Sequence, residues 1–243
     1  MRLAVAHARA ETAQLVRYPA YALPTLAFPA ILMVLFGARF DRGEPERMLA
    51  GFAATALLTV TFFQFGVGIA TARTTPWETY LRTLPVSATS RLAGRVLSAL
   101  VFAAATVGVV TVVGTTVYDA SMPAWRFAAL ALALLVGSVP FALLGVALGY
   151  LLPPRAALPI ANIAFLPLVI GGALWARPEG IPHAADLTSQ TLPTRSWMEV
   201  LDSVATGDHA LPPHHVAALA GWSGVFFAAA WLGYRRDEGE RFT

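Results

Sequence analysis

The sequence predicts an all-α, polytopic membrane protein with about six transmembrane helices. The chain has 243 residues, is 57% hydrophobic and only 13% charged, and its mean hydropathy is +0.62. A soluble domain carries about 25% charged residues, so the charged shell that such a domain needs is missing. Six long apolar runs, and the placement of arginines between them, favour the same fold class.

The six apolar runs are each close to the length of about 20 residues that a helix needs to cross the hydrocarbon core. No run contains Asp, Glu, Arg, Lys or His, and Pro140 predicts a tilt or kink in the fourth. We assign residues 1–243 to a single transmembrane domain. The predicted spans cover roughly residues 19–38, 49–72, 96–117, 127–152, 156–176 and 216–234.

Residues 1–18 precede the first run and have apolar residues at helical spacing, from Leu3 to Val16. This pattern predicts an amphipathic helix lying in the membrane interface. The alternative is a cleaved signal peptide. The following apolar run is too long for one, and no A-x-A site ends it.

The basic residues predict the orientation. All 17 of them are arginine, and with the N-terminus inside, eleven fall in inner segments and six in outer ones. The rule that arginine and lysine favour the cytoplasmic side therefore predicts two cytoplasmic termini. The use of arginine without lysine is typical of a GC-rich, bacterial genome, so we expect the membrane to be a bacterial plasma membrane. Membrane orientation also explains the excess of basic over acidic residues, so that no nucleic-acid partner is needed to account for it.

Several classes of chemistry are disfavoured. Without lysine the chain has no G-x-x-x-x-G-K-[ST] phosphate-binding loop, so it does not hydrolyse ATP by that route. The absence of cysteine excludes disulfides and thiolate sites. Spans without ionisable residues disfavour a proton-coupled transporter and an intramembrane enzyme. We expect no catalytic residues and no cofactor in this chain.

A metal site at the start of the sixth span is also disfavoured. Asp208, His209, His214 and His215 lie close in sequence. However, adjacent histidines cannot easily aim at one ion from a regular helix, and Pro212-Pro213 intervenes. A polar cluster at the interface is the simpler interpretation.

The connection between spans two and three, residues 73–95, contains the most specific local pattern. Thr75-Pro76-Trp77-Glu78 has the spacing of a helix-capping box with proline at the first helical position. Glu78 and Arg82 are four residues apart in the favourable order, and Pro85 ends the helix. This short amphipathic helix either anchors the span ends in the interface or docks a cytoplasmic partner.

The segment from Glu78 to Ser87, followed by Leu92-Ala93-Gly94-Arg95, resembles the signature of type-2 ABC exporter permeases. The layout is also similar, with an amphipathic N-terminus, six spans, a long inner link after span two and a long outer link after span five. Family members usually have further charges and a Gly-Thr pair where this chain has Thr74-Thr75-Pro76-Trp77.

The resemblance implies a permease subunit that exports an apolar or amphipathic substrate, such as a drug, an antibiotic or a lipid. Two separate cytoplasmic ATPase subunits, which bind ATP and Mg, and a second copy of the permease or a homologous permease would complete the transporter. The alternative is a membrane scaffold or assembly factor without transport. The implied ATPase-coupling residues are Glu78, Tyr80, Leu81, Arg82, Leu84, Pro85, Val86 and Ser87.

Uncharged residues inside the spans are candidates for the substrate pathway. They are Phe62, Phe63, Gln64 and Asn162. Lipid contact by the phenylalanines and interhelical hydrogen bonds by the amides are the alternatives. Gly145-x-x-x-Gly149 permits close approach of another helix, but its partner is not specified by the sequence.

The outer connection, residues 177–215, contains a second pattern that is typical of a helix. Ser196-x-x-Glu199 predicts a capping box, and Gly207 predicts the end of the helix. The resemblance implies short extracellular helices here, before the last span.

Overall fold

The computed structural model describes residues 2–17, 19–40, 43–76, 88–175, 189–207 and 213–239, which form helices and short connections without a strand. The described helices are α1 (Arg2–Val16), α2 (Pro19–Phe40), α3 (Pro45–Val60), a π-helix (Thr61–Val67), α4 (Gly68–Ala72), α5 (Ala88–Val117), α6 (Ala124–Gly137), α7 (Val139–Leu151), α8 (Pro154–Gly171), α9 (Pro193–Thr206) and α10 (Pro213–Gly239). The all-α membrane fold predicted from the sequence is confirmed.

Five helical stretches of the described chain are long and apolar enough to cross a membrane. They are Pro45–Ala72, Gly94–Val117, Ala124–Leu151, Pro154–Gly171 and Pro213–Asp237. The predicted first span falls on α2, whose apolar part, Ala22–Gly37, is shorter than the other five. A count of six therefore stays a prediction.

The second span lies at the centre of the bundle. In its apolar window 83% of the residues are buried, against 17–33% in the other four spans. Small residues along α3, including Ala50, Gly51 and Ala54, let the neighbouring helices approach closely. Thr55 and Thr59 donate their hydroxyl protons to backbone carbonyls four residues earlier, at 2.9 Å, so both of these buried hydroxyls are paired within their own helix.

The fourth span is interrupted, as Pro140 predicts. Helix α6 ends at Gly137 and α7 begins at Val139, with Ser138 between them. Proline lacks the N–H that would continue the helical ladder. The Ser138 hydroxyl donates to the carbonyl of Leu135, in the last turn of α6, at 2.8 Å.

Different residues and helices gather at the two ends of the bundle. One end, here called the Arg73 end, gathers Arg73 after α4, Arg95 in α5, the last turn of α7 and Asp237 in α10. Helix α1 packs along α5 at this end. The opposite end, called the Trp197 end, is covered by α9, which packs on α3, α6 and α10.

Candidate functional site

The predicted coupling segment from Glu78 to Ser87 lies outside the described residues. The described chain stops at Pro76 and resumes at Ala88. At the near edge, the Thr75 hydroxyl donates to the carbonyl of Ala72 at 2.8 Å. The coupling role of residues 78 to 87 therefore stays a prediction.

Arg73 lies five residues before Glu78 and joins three helices. Its Nη1 donates to the carbonyls of Gly149 and Tyr150, at 2.8 and 2.7 Å. Its Nε lies 2.8 Å from Oδ1 of Asp237, an ion pair without hydrogen-bond alignment. The guanidinium carbon is 5.8 Å from the centre of the Tyr150 ring, and that ring meets Tyr234 edge-on at 5.4 Å.

Polar contacts also join α1 to the spans. The Thr12 hydroxyl donates to Oγ of Ser98 at 3.1 Å, and Glu11 pairs with Arg95 at 3.5 Å. Ser98 in turn lies 3.5 Å from Nε2 of Gln64. The N-terminal helix is thus connected, through one serine of α5, to the middle of the second span.

Gln64 lies in the π-helix and is buried, with 6% of its surface exposed. Its amide nitrogen contacts Ser98, but its Oε1 has no hydrogen-bond partner among the described residues. A buried acceptor without a partner costs free energy. π-Helical turns are frequent at functional sites. Both features single out Gln64 among the predicted pathway residues.

The two phenylalanines that precede Gln64 pack against the same ring of α8. Phe62 is fully buried and meets Phe165 edge-on, with centroids 6.3 Å apart. Phe63 is half-buried and lies 5.8 Å from the same ring. Phe62 therefore lies in the interior of the helix bundle, and Phe63 lies nearer its surface.

Asn162 lies on the exposed face of α8, near the middle of Pro154–Gly171. Nearby on the same helix, Ile163 is 73% exposed. No hydrogen bond involves the Asn162 amide within the part of the chain that the structure describes. The structure thus brings Gln64, Phe62 and Phe63 together on the second span, and it leaves Asn162 apart from them.

Helix α9 closes the Trp197 end with a buried aromatic residue. The Trp197 side chain is fully buried, its Nε1 donates to the carbonyl of Ala133 at 3.3 Å, and its ring lies 5.0 Å from that of Phe141. Arg47 of α3 forms an ion pair with Asp202 of α9. The helix is thereby fixed to the bundle through apolar packing and a charge pair.

The capping box predicted at Ser196 is wrong. Helix α9 starts three residues earlier, at Pro193, so Ser196 lies inside it and its Oγ is 3.2 Å from Nδ1 of His215. Glu199 instead pairs with Arg195 at 2.9 Å, one turn away on the same helix. The predicted end is confirmed, because Gly207 caps the helix in the left-handed conformation with φ of 73°.

The suggested metal cluster is only partly described. His214 and His215 are adjacent, with ring centroids 4.1 Å apart, whereas residues 208 and 209 lie outside the described ranges. Among the described residues, no three His, Asp or Glu side chains are grouped to hold a metal ion.

The contacts of Arg73 were not found by sequence reasoning. Arg73 is one of the arginines whose placement predicts the orientation, and no local pattern singles out Asp237. The available signal was the position of Arg73, the last charged residue before the coupling segment. Its partners lie on other spans, so local spacing does not reveal them.

Comparison with known proteins agrees with the helical layout. The family model described as ABC-2 type transporter matches residues 3–204. A Bacillus subtilis (strain 168) protein named "Putative transport permease YvfS" is 22% identical over 193 residues, which cover 76% of this chain and 78% of that protein. No solved structure gives a significant match. Because the family model covers most of its length, the chain belongs to the ABC-2 type transporter family and is a membrane subunit of an ABC transporter.

Proposed function

We propose that this chain is the permease of an ATP-driven exporter that moves an apolar or amphipathic compound out of the cytoplasm or inner leaflet. The observation that carries the proposal is the combination of family membership with the Glu78–Ser87 segment, which begins only five residues after Arg73 in the sequence. ATP and Mg would bind to a separate cytoplasmic subunit, of which we expect two copies. The family assignment disfavours the scaffold alternative.

The Arg73 end is proposed to face the cytoplasm. The arginine bias supports this orientation, which places both termini and residues 73–95 on the ATPase side of a bacterial plasma membrane. The Trp197 end would then face outwards, with α9 as a short extracellular helix that closes the exit.

An uncharged pathway supports an apolar or amphipathic substrate. Buried charged side chains in the described spans lie near the helix ends, as Arg47 and Asp237 do. In the interior, Gln64 supplies an acceptor without a partner among the described residues. Such a pathway would admit a lipid, an antibiotic or another drug with a polar group that can donate a hydrogen bond to Gln64.

A second permease subunit, identical or homologous, is part of the proposal. Asn162 is exposed at the middle of a span, where its amide would face hydrocarbon in a single chain. Amide side chains in membranes commonly hydrogen-bond across helices. Either a neighbouring permease or the substrate would satisfy Asn162, and membrane lipid would cover the remaining exposed apolar faces.

The experiment compares Glu78→Gln with Glu78→Ala. Gln keeps the capping capacity but removes the charge, whereas Ala removes both. If Glu78 faces a cation of the ATPase across a partly desolvated contact, truncation costs about 2–5 kcal/mol of binding, which is about 30-fold or more in affinity.

We expect Glu78→Gln to insert normally, to lose co-purifying ATPase and to lose export. Export is followed with three probes: tetraphenylphosphonium, Nile red and a fluorescent phospholipid. Normal association and export in Glu78→Gln would reduce this residue to a helix cap. Wild-type chain that captures no ATPase and exports no probe would count against the proposed function itself.

A further inference from the structure

The contacts of Arg73 combine two roles, one at the end of α7 and one against α10. Helix α7 ends at Leu151, so the carbonyls of Gly149 and Tyr150 belong to its last turn, where helix carbonyls lack intrahelical donors. Arg73 donates to both, which places a cation at the negative end of the helix dipole. The same guanidinium lies against Asp237 of α10. One residue of the second span therefore holds the ends of two other spans.

The chain between Arg73 and the coupling segment is short and hydrogen-bonded. Only four residues, Thr74 to Trp77, separate Arg73 from Glu78. The backbone N–H of Thr74 donates to Thr71 at 3.2 Å, and that of Thr75 donates to Ala72 at 3.0 Å. These turns continue from α4 without an extended stretch, so the connection has little slack to absorb a displacement.

We propose that Arg73 is the positioning residue that passes the movement of the coupling segment, Glu78 to Ser87, to α7 and α10. The inference rests on the proposed function, because it presumes that an ATPase displaces that segment. When the segment moves, Arg73 moves with it, and its contacts carry the last turn of α7 and the Asp237 end of α10 in the same direction.

The burial of the pair implies that the contact persists through the transport cycle. The side chain of Asp237 is 4% exposed and that of Arg73 is 18% exposed. Removing one partner of a buried charge pair is strongly unfavourable, since the other charge stays away from water. Arg73 is therefore a link that stays closed and moves as a unit, rather than a latch that opens.

The test uses the purified complex of permease and ATPase, with a single cysteine introduced at Leu151, the exposed last residue of α7. The rate at which a maleimide labels this cysteine is measured with and without ATP and vanadate. This readout needs no known substrate, and the chain has no other cysteine. We expect nucleotide to change the labelling rate at least threefold in the otherwise wild-type complex.

Arg73→Gln and Asp237→Asn should each abolish the nucleotide-dependent change, while the amount of bound ATPase stays the same and ATP hydrolysis continues. The nucleotide-dependent change in labelling rate should be the same in the double variant as in either single variant, since both substitutions remove the same link between Arg73 and Asp237. Arg236→Gln is the matched control, because Arg236 adjoins Asp237 but is exposed. It should behave as the wild type.

Three results would overturn the inference. The first is a normal nucleotide response in Arg73→Gln, and the second is loss of bound ATPase in that variant, which would make Arg73 a docking residue. If the variants fail to insert, cysteines at 73 and 237, joined by a short bifunctional thiol reagent, replace the contact covalently. The readout is export of whichever of the three probes the wild type exports. Restored export supports a permanent link, whereas export that stays blocked is the third contrary result. A wild-type complex without any nucleotide response would instead count against ATP-driven transport.

Discussion

Gly145 lies directly against the backbone of Thr61, so that a Cβ atom at position 145 would fall 2.5 Å from the Thr61 carbonyl oxygen. One turn later, a Cβ at Gly149 would fall 2.9 Å from the carbonyl oxygen of Phe65. The two glycines therefore seat α7 on the π-helix of the central span. Their contact fixes the fourth span beside the residues proposed to line the pathway.

Gly145→Ala should destabilise the bundle, because the new methyl group meets rigid backbone. Overpacking of this kind costs about 1–3 kcal/mol. The control is Gly221→Ala in α10, where an added Cβ meets nothing within 4 Å and where alanine is favoured in a helix by about 0.5–1 kcal/mol. Thermal unfolding in detergent, followed by tryptophan fluorescence, should show a lower midpoint for Gly145→Ala only. Equal shifts in both variants would contradict this packing.

Trp197→Ala should loosen the Trp197 end of the bundle. Replacing a fully buried tryptophan by alanine costs about 3–5 kcal/mol, and here it also removes the hydrogen bond to Ala133. Trp125→Ala is the control, since Trp125 is 67% exposed. Limited proteolysis of the segment that precedes α9 should accelerate in Trp197→Ala and stay at the wild-type rate in Trp125→Ala. Similar rates in both variants would refute an anchoring role.

Gln64→Met should preserve folding and change recognition. Methionine has a similar length and no acceptor to leave unpaired, so the thermal midpoint should stay close to the wild-type value. Gln64→Glu should lower it, because a carboxylate would enter a site that is 6% exposed. If Gln64 contacts substrate, Gln64→Met raises the probe concentration needed to stimulate the bound ATPase. An unchanged concentration would remove Gln64 from the pathway.

Accessibility of single cysteines tests the proposed orientation. Cysteines introduced at Thr12, Thr83 and Gly239 should react with an impermeant maleimide only after the cells are opened. A cysteine at Gly43, an exposed residue between α2 and α3, should react in intact cells. Labelling of position 83 in intact cells would reverse the topology.

The purified chain alone should hydrolyse no ATP, because a sequence without lysine has no G-K-[ST] phosphate-binding loop. Hydrolysis should appear only when a nucleotide-binding subunit is added. Phosphate release is measured for the chain, for the added subunit and for both together. Hydrolysis by the chain that survives removal of contaminants would contradict the assignment of ATP to a partner.

Much of the membrane architecture could be predicted from the sequence, because the bilayer acts on local composition. Apolar runs without charge located the spans, and Pro140 located the break in the fourth one. The sequence-based predictions are wrong where tertiary contacts compete with the local rules for helix capping. Ser196 fits a capping box, yet Pro193 starts α9 one turn earlier and the Ser196 hydroxyl meets His215 instead.

The sequence by itself determined the helical class, the approximate spans, the end of α9 at Gly207 and the absence of a phosphate-binding loop. Each depends on residues that are neighbours along the chain. The tertiary structure alone decided that Gly145 meets Thr61 and that Gln64 lies near Ser98. It also decided that Arg73 joins the ends of two other spans. Those pairings depend on how separate helices rotate and pack, and the period of one helix does not specify its neighbour.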